Sequence, residues 1–187
     1  MRNVLIVLSG PSGVGKGTIA KKLVQKNQNI SLSISCTTRS PRGGEQDGRE
    51  YFFIDKSEFV NKIENDGFLE YSNHFENYYG TPKDFVMNKL KNNDVLLEID
   101  VNGGLNVKKS YKDALLIMIA PPSIEELENR LIHRNTESLE KIKLRMQRID
   151  YELEKASLYD YTVVNDDLEQ AIEEIEKIID KEKNKQN

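Results

Sequence analysis

The residues with the clearest chemical signature are Gly10-Pro11-Ser12-Gly13-Val14-Gly15-Lys16-Gly17-Thr18. Their GxxxxGK core follows an apolar run at 4–8 and precedes a stretch with helical periodicity, which is the context that a phosphate-binding loop (P-loop) requires. Glycines allow several backbone N–H groups to point at phosphate oxygens, and the helix N-terminus adds partial positive charge. Lys16 adds an ammonium group for the β- and γ-phosphates. The segment therefore predicts a site for a nucleoside triphosphate.

Two arginines on a later loop could bind a second phosphate group. Arg39 and Arg42 flank Pro41 three residues apart, so both guanidinium groups could fork onto one phosphate. Tyr51 and Tyr79 could add hydroxyl donors to the same group. From these residues alone, solvated loop arginines are the more common alternative.

Several motifs spread along the chain resemble the guanylate kinase family, and the resemblance covers nearly the whole sequence. They are S-x-T-T-R-x-P-R-x-G-E from Ser35, Y-F-F from Tyr51, G-F-L-E from Gly67, N-Y-Y-G-T from Asn77, I-D at Ile99, I-A-P-P-S from Ile119, R-L-x-x-R from Arg130 and V-V-N-D-D-L from Val163. The resemblance implies an ATP:GMP phosphotransferase that works reversibly with Mg²⁺ in purine nucleotide metabolism.

The resemblance also implies which residues hold the acceptor. The GMP phosphate would bind Arg39, Arg42, Tyr51 and Tyr79; the guanine would bind Ser35, Glu70 and Thr81, with Glu98 and Asp100 nearby. Guanine presents two donors, N1–H and the 2-amino group, which the Glu70 carboxylate can accept. Adenine would place a lone pair against that carboxylate, and such a buried mismatch gives strong discrimination. The choice between GMP and dGMP stays open.

On the donor side, the resemblance implies a lid of arginines and an adenine neighbour. The ATP contacts would be residues 10–18 with Arg130, Arg134 and Asn165, and the catalytic residues Lys16, Arg39, Arg134 and Arg145. Gly17 separates Lys16 from Thr18, as in nucleoside monophosphate kinases, where phosphates and water hold most of the magnesium. We therefore expect no direct protein–Mg²⁺ bond, with Thr18 and Asp100 as the nearest side chains.

Two other functions would share part of this sequence pattern. Guanylate-kinase-like domains of scaffold proteins bind phosphopeptides without catalysis, but here the P-loop lysine and its glycines are intact. A kinase for AMP or a pyrimidine monophosphate would share the P-loop. Glu70 and Ser35 argue against that alternative, because they match the edge of guanine.

Alternating apolar and polar segments predict the elements that position these residues. Strands are predicted at 4–8, 30–36, 50–54, 67–71, 75–79, 95–100, 114–119 and 161–164. Helices are predicted at 18–26, from an N-cap at Ser57 to 65, at 82–91, at 103–110, from a capping box of Ser123 and Glu126 to 133, at 138–158 and at 168–179. The polar tail 180–187 is expected to fray.

Strands that alternate with helices predict an α/β protein, a P-loop three-layer fold with a mostly parallel central sheet. We expect one guanylate kinase-like domain over residues 1–187. Its core would comprise about 1–32, 94–121 and 159–187; an inserted GMP-binding subdomain would span about 33–93 and a helical lid about 122–158.

Composition sets limits on partners and location. The net charge of −4 argues against broad nucleic-acid binding, which needs a basic face. Cys36 is the single cysteine, so no disulfide can form within the chain; we expect it to be small, buried and unreactive. No apolar run approaches the roughly 20 residues that span a bilayer. We therefore expect a cytoplasmic enzyme whose partners are ATP and GMP, with no nucleic acid, membrane or obligatory protein partner.

Overall fold

A parallel sheet forms the centre of the molecule. The computed structural model describes residues 2–74, 76–133 and 139–185. The central strands are β1 (Leu5–Ser9), β2 (Ile30–Leu32), β7 (Asp94–Glu98), β8 (Leu115–Ala120) and β9 (Tyr161–Val164). They lie in the order β2-β7-β1-β8-β9, and every neighbouring pair is parallel. This confirms the predicted mostly parallel sheet.

Helices cover both faces of this sheet because its strands are apolar on both sides. Along β1, Ile6 and Leu8 face one cluster of buried side chains while Leu5 and Val7 face another. The first cluster includes α1 (Lys16–Lys26), α5 (Ile124–His133), α6 (Leu139–Glu154) and α7 (Leu168–Lys185); the second includes α3 (Lys83–Leu90) and α4 (Val101–Ser110). The result is the three-layer arrangement predicted from the sequence.

A second, smaller sheet lies between β2 and α3 in the chain. It contains β3 (Ser35–Thr37), β4 (Tyr51–Phe53), β5 (Phe68–His74) and β6 (Asn77–Pro82), in the order β4-β3-β6-β5. Helix α2 (Lys56–Glu64) covers it through Phe59, whose ring stacks 4.4 Å from that of Phe68. Cys36 is buried in the same cluster, and burial raises the pKa of its thiol to about 11. The thiol is therefore small, buried and protonated, as expected.

The single strand predicted at 30–36 is wrong. Its two halves belong to different sheets: β2 pairs with β7, and β3 pairs with β4 and β6. Ser33 still donates its N–H to Leu96 at 2.9 Å, and the chain then leaves the central sheet through Ile34. The alternation of apolar and polar residues continues where the chain passes from one sheet to the other. It indicates on which face of a strand a side chain lies, but not to which sheet the strand belongs.

Two helices begin earlier than predicted because an aspartate caps each of them. Asp55, not Ser57, is the N-cap of α2, and its Oδ1 accepts from the Glu58 N–H at 2.8 Å. Asp100 caps α4 and accepts from the Gly103 N–H at 2.8 Å, so the preceding strand ends at Glu98. Aspartate is as good an N-cap as serine.

The predicted fraying of 180–187 is also wrong within the described residues, since α7 continues to Lys185. Lys183 binds the buried carboxylate of Asp94 at 2.8 Å, and Glu182 accepts from the Tyr161 hydroxyl at 2.5 Å. Tertiary contacts of polar side chains thus extend a helix whose apolar repeat has already ended.

The other boundaries differ by a few residues. Strands β5 and β6 run further than predicted, and the helix predicted at 138–158 ends at Glu154, followed by a 3₁₀ turn at Lys155–Leu158. The N–H of Glu126 donates to the Ser123 hydroxyl at 3.1 Å, as in the predicted cap. In the part of the chain that the structure describes, no helix is both long enough and apolar enough to cross a membrane.

Candidate active site

The carboxyl end of β1 opens into a cavity of about 760 Å³, here called the donor cavity. Residues 10–18 curl around it, and α1 starts directly behind them at Lys16. The lining contains Ser12, Gly13, Gly15, Lys16, Gly17, Thr18, Lys21, Lys22, Gln25 and Glu98. Three lysines and the N-terminus of α1 make this cavity suited to a polyanion such as a triphosphate.

Several glycines of the loop lie where a side chain would not fit, Gly10 and Gly15 among them. An added Cβ at Gly10 would overlap the carbonyl oxygen of Ile119. Gly15, the N-cap of α1, has a φ of 100°, in the left-handed region that favours glycine. An added Cβ there would lie 2.6 Å from Nδ2 of Asn165. These two positions therefore require glycine because neighbouring atoms leave no room for a side chain, in addition to the predicted need to bind phosphate.

Lys16 lies across the loop that precedes it. Its Nζ donates to the carbonyl oxygens of Gly10 at 2.7 Å and Pro11 at 3.1 Å. Glu98 lines the same cavity; although its side chain is exposed, partial burial in the cleft raises its pKa, and attraction to Lys16 opposes that shift. The ammonium group is therefore bound by loop carbonyls and attracted by the carboxylate of Glu98.

A second cavity of about 630 Å³, here called the acceptor cavity, lies beside the smaller sheet. Its lining contains Ser35, Arg39, Arg42, Tyr51, Glu70, Ser72, Asn77, Tyr79, Gly80, Glu98, Ile99 and Asp100. Of the residues predicted for the acceptor site, only Thr81 is not in this lining, and its hydroxyl touches Glu70. Glu98 lines both cavities, so the two meet at the end of β7.

The two arginines are held together by a residue that the site prediction omitted. Nη2 of Arg39 binds Oε1 of Glu45 at 2.9 Å, and the backbone N–H of Arg42 donates to Oε2 at 2.8 Å. These bonds lower the pKa of the Glu45 carboxyl. The Arg39 guanidinium also lies 5.5 Å from the centre of the Tyr51 ring. Glu45 therefore ties the Arg39 guanidinium to the backbone of Arg42; Arg39 and Arg42 together are here called the arginine clamp.

Two phenols complete this end of the cavity. The rings of Tyr51 and Tyr79 meet edge to face with centres 6.0 Å apart. The pKa of Arg39 is raised by hydrogen bonds to Glu45 and to the Tyr79 side chain. Burial raises the pKa of Tyr51, which keeps its hydroxyl protonated and able to donate. Two guanidinium groups and two phenols thus line one end of the cavity.

The acceptor cavity is also lined by a buried carboxylate. Glu70 is 8% exposed, and its Oε1 accepts a hydrogen bond from the Thr81 hydroxyl at 2.6 Å. Burial raises its pKa to about 7, partly offset by the bond from Thr81 and reinforced by Asp100. An added Cβ at Gly103 would lie 3.1 Å from Oε2, so the start of α4 packs directly against this carboxylate.

The predicted lid residues are placed only in part. Arg134 and the side chain of Arg145 lie outside the described residues, so their roles stay predictions. Arg130 is described: its Nε binds Oε1 of Glu126 at 3.0 Å, and its Nη1 donates to the backbone oxygen of Asn165 at 3.1 Å. Arg130 is therefore anchored at the end of β9, beside the donor cavity.

Sequence reasoning missed six polar residues that line the two cavities or hold their side chains: Lys21, Lys22, Gln25, Glu45, Ser72 and Asn77. Ser72 shares a face with Glu70 on β5, so the strand period could have found it. Glu45 belongs to the quoted arginine motif. Glu152 on α6 lies outside the lining of both cavities; burial raises its pKa, and the charges of Arg148 and Lys16 oppose that shift.

The side chains present fit a magnesium ion carried by a nucleotide. No group of three or more His, Cys, Asp or Glu side chains among the described residues is placed to hold a metal ion. Thr18 and Glu98 line the donor cavity and Asp100 the acceptor cavity. Such oxygen donors suit Mg²⁺, which keeps several water ligands and binds through phosphates. These three residues are available to the ion's water shell.

Sequence comparisons agree with the geometry of the two cavities. A family model described as guanylate kinase matches residues 2–182. The chain is 51% identical over 183 residues to a guanylate kinase of Caldanaerobacter subterraneus subsp. tengcongensis, which covers 97% of this chain and 89% of that protein. It is 49% identical to a guanylate kinase of Clostridium tetani, with 97% and 88% covered.

Structural comparisons extend this agreement to the fold. The crystal structure of guanylate kinase from Anaplasma phagocytophilum matches with a TM-score of 0.76 and 33% identity, over 97% of this chain and 86% of that one. A shikimate kinase from Bacteroides thetaiotaomicron matches with a TM-score of 0.54 and 16% identity, which reflects the shared fold alone. Given the family model, the identities and their coverage, the chain belongs to the guanylate kinase family.

Proposed function

We propose that this protein transfers the γ-phosphoryl group of ATP reversibly to GMP, giving ADP and GDP. The observation that carries the proposal is that one cavity is lined by the buried Glu70, which Thr81 orients, and by two arginines and two tyrosines. A carboxylate together with two guanidinium groups suits a guanine nucleotide with one phosphate group. The donor cavity adjoins it through Glu98.

Guanine recognition would depend on Glu70 in its ionised form. The carboxylate can accept from N1–H and from the 2-amino group, while the Thr81 hydroxyl keeps it oriented. Ser35, on the lining of the same cavity, can donate to O6. A base without these donors would leave a buried carboxylate unpaired, which costs more than a missing contact.

Phosphoryl transfer would need positioning and charge neutralisation more than covalent chemistry. The acceptor phosphate, held by Arg39, Arg42 and the two tyrosines, would approach the γ-phosphorus in line. Lys16 would exchange its loop carbonyls for phosphate oxygens and stabilise the charge that spreads over them. Arg134 and Arg145 are proposed to add charge from the lid, and Asn165 to lie near the donor nucleotide.

Magnesium is proposed as the cofactor, bound through the phosphates with Thr18, Glu98 and Asp100 around its water shell. When bound, it would neutralise charge on the phosphates and fix their geometry. We propose a cytoplasmic enzyme of purine nucleotide metabolism that recycles GMP, because both substrates are nucleotides and the lone cysteine suits a reducing compartment.

The test is a coupled assay of ADP release with ATP, Mg²⁺ and a panel of monophosphates: GMP, dGMP, AMP, CMP and UMP. We expect rapid turnover with GMP and at least about a hundredfold lower kcat/KM with AMP and the pyrimidine nucleotides. The dGMP result decides how much the 2′-hydroxyl contributes. No turnover with ATP plus GMP, or equal turnover with AMP, would reject the proposed function.

A further inference from the structure

We propose that Asn165 is a positioning residue for the P-loop, and that it acts by fixing the orientation of one peptide group. Its side chain is buried, and Nδ2 donates to the carbonyl oxygen of Val14 at 2.7 Å. This contact joins residues that lie far apart in the chain. The proposal rests on the proposed role of this loop as the triphosphate site.

Peptide geometry explains how one hydrogen bond can orient the loop. A trans peptide is planar, so its C=O and the following N–H point in opposite directions. With the Val14 oxygen held by Asn165, the N–H of Gly15 must point away from Asn165. Gly15 is the N-cap of α1 and lines the donor cavity. Asn165 therefore fixes the direction of the Gly15 N–H beside the donor cavity.

The same contact restricts the alternative orientation of this peptide. Gly15 has a φ of 100°, a region open to glycine, so its flanking peptides are easier to rotate than those of other residues. A rotated Val14–Gly15 peptide would direct a carbonyl oxygen toward the phosphate oxygens. Asn165 opposes that rotation, and the side chain of Val14, which is completely buried, anchors the other side.

Asn165 is itself held in place by two backbone contacts. Its N–H donates to the Ala120 oxygen at 2.8 Å, and its own carbonyl oxygen accepts from Nη1 of Arg130 at 3.1 Å. Helix α5 also reaches the loop directly, since an added Cβ at Gly13 would lie 2.8 Å from Leu131. The first lid helix, the end of β9 and the P-loop thus form one connected unit.

The decisive experiment compares a ligand that has a base with one that has none. Binding of ATP and of inorganic tripolyphosphate, each with Mg²⁺, is measured by titration calorimetry for wild type and for Asn165→Leu, which keeps the branching at Cγ but has no donor. A positioning role predicts that both ligands bind about tenfold more weakly, the effect of losing one buried hydrogen bond. GMP binding should change by less than about twofold, because other elements form its cavity.

Each alternative gives a different result. If Asn165 served adenine alone, ATP would weaken while tripolyphosphate kept its affinity, and the proposal would fail. Unchanged binding of both ligands would also overturn it. Asn165→Ala is tested in parallel, and loss of GMP binding in both variants would show a general structural role instead. Because tripolyphosphate binding is measured without turnover, the result stands even if the wild type does not phosphorylate GMP.

A matched control lies one residue away. Val164 is the last residue of β9 and is 49% exposed, and Val164→Thr keeps its shape and its preference for strand. This variant should bind ATP, tripolyphosphate and GMP like the wild type. An equal loss in Val164→Thr would mean that any change at the end of β9 disturbs the loop, which would contradict a specific role for the Asn165 amide.

Discussion

At the scale of single residues, Glu70 combines two opposing demands. The proposed recognition of guanine needs its carboxylate charged, whereas burial favours the neutral form and raises its pKa to about 7. Because this pKa is raised in the folded chain, the stability that Glu70 contributes is fully present below its unfolded pKa and is lost as the pH rises through about 7. The ionised carboxylate is therefore a local cost to folding that its function requires.

Replacing Glu70 with glutamine should separate these two roles. Glu70→Gln replaces one of the two carboxylate oxygens with an NH₂ group. The remaining oxygen can still accept from Thr81, but guanine then meets a donor where it needs an acceptor. We expect kcat/KM for GMP to fall by roughly a hundredfold or more, with ATP affinity unchanged and no loss of thermal stability at pH 8. Steady-state kinetics and a melting curve measure both.

The control for this substitution is Glu64→Gln, the same chemical change on an exposed position of α2. It should leave both substrates unaffected. If Glu70→Gln turned over GMP at the wild-type rate, the guanine site would have to lie elsewhere.

The raised pKa of Glu70 also predicts how base recognition depends on pH. The phosphate of GMP titrates near pH 6 itself, so guanosine, which has none, is the cleaner probe. The affinity for guanosine, measured as an inhibition constant, should not change above about pH 7.5. Well below pH 7 it should fall by up to about tenfold per pH unit, because the neutral carboxyl cannot accept two hydrogen bonds. The KM for ATP over the same range is the reference. A guanosine constant independent of pH from 5.5 to 8 would contradict the assignment of Glu70.

At the scale of elements, the start of α4 contacts both the acceptor cavity and the segment that follows the predicted lid. The Tyr159 hydroxyl, just after the 3₁₀ turn, donates to the Val101 oxygen at 2.9 Å. Ser9 donates to the backbone oxygen of Asp100 at 3.2 Å. Gly104 leaves the space for these hydroxyls, since an added Cβ would overlap that of Tyr159. This packing fixes the helix end that lies against Glu70.

Gly104→Ala should therefore destabilise the protein although alanine is the better helix former. Helix propensity alone would add about 1 kcal/mol of stability, but overpacking against the two hydroxyls should give a net loss of about 1–3 kcal/mol in urea denaturation. In a Tyr159→Phe background the same change should cost at least about 1 kcal/mol less, because the overlapping atom is gone. Gly43→Ala, with open space around it, is the control. Equal costs in both backgrounds would refute this packing.

The end of α7 makes a second prediction at this scale. Asp94 is 2% exposed and accepts from the Val4 N–H at 2.9 Å and from Lys183 at 2.8 Å. Lys183→Met would leave a buried carboxylate without its cation and should lower the free energy of unfolding by about 2–3 kcal/mol. Lys177→Met, on an exposed position of the same helix, should change it little. Equal denaturation midpoints for the two variants would show that the helix end contributes no stability.

Sequence patterns predicted those parts of the fold that local chemistry determines. Apolar runs predicted the central strands, and the glycine spacing predicted the P-loop between β1 and α1. The break at Ser33 and the extension of α7 were missed, because strand pairing with β6 and the ion pair to Asp94 depend on residues distant in sequence. Glu45, by contrast, lies only six and three residues from Arg39 and Arg42, so its contacts are local and were open to prediction from the sequence.

At the scale of the whole molecule, the two cavities belong to different sheets. The donor cavity belongs to the parallel sheet, and the proposed phosphate clamp belongs to the smaller one. The chain crosses between them at Ser33–Ile34 and returns through α3, while Glu98 borders both cavities. Transfer therefore requires two separately held phosphates to be brought into line, and this is where an enzyme gains most from orientation.

This division predicts that ATP is stable on the protein when no acceptor is bound. The arginine clamp and the tyrosines would orient an acceptor phosphate, but they would not orient a water molecule. When GMP is bound, closure of the site would also keep water away from the γ-phosphorus. We expect ADP release with ATP alone to be at least about a hundredfold slower than with GMP, and the ADP formed with GMP to be matched by GDP rather than by inorganic phosphate. Parallel assays of ADP, GDP and phosphate measure this, with AMP as the control nucleotide. A rate of phosphate release that is high without GMP and unaffected by adding it would mean that the donor cavity works independently of the acceptor cavity.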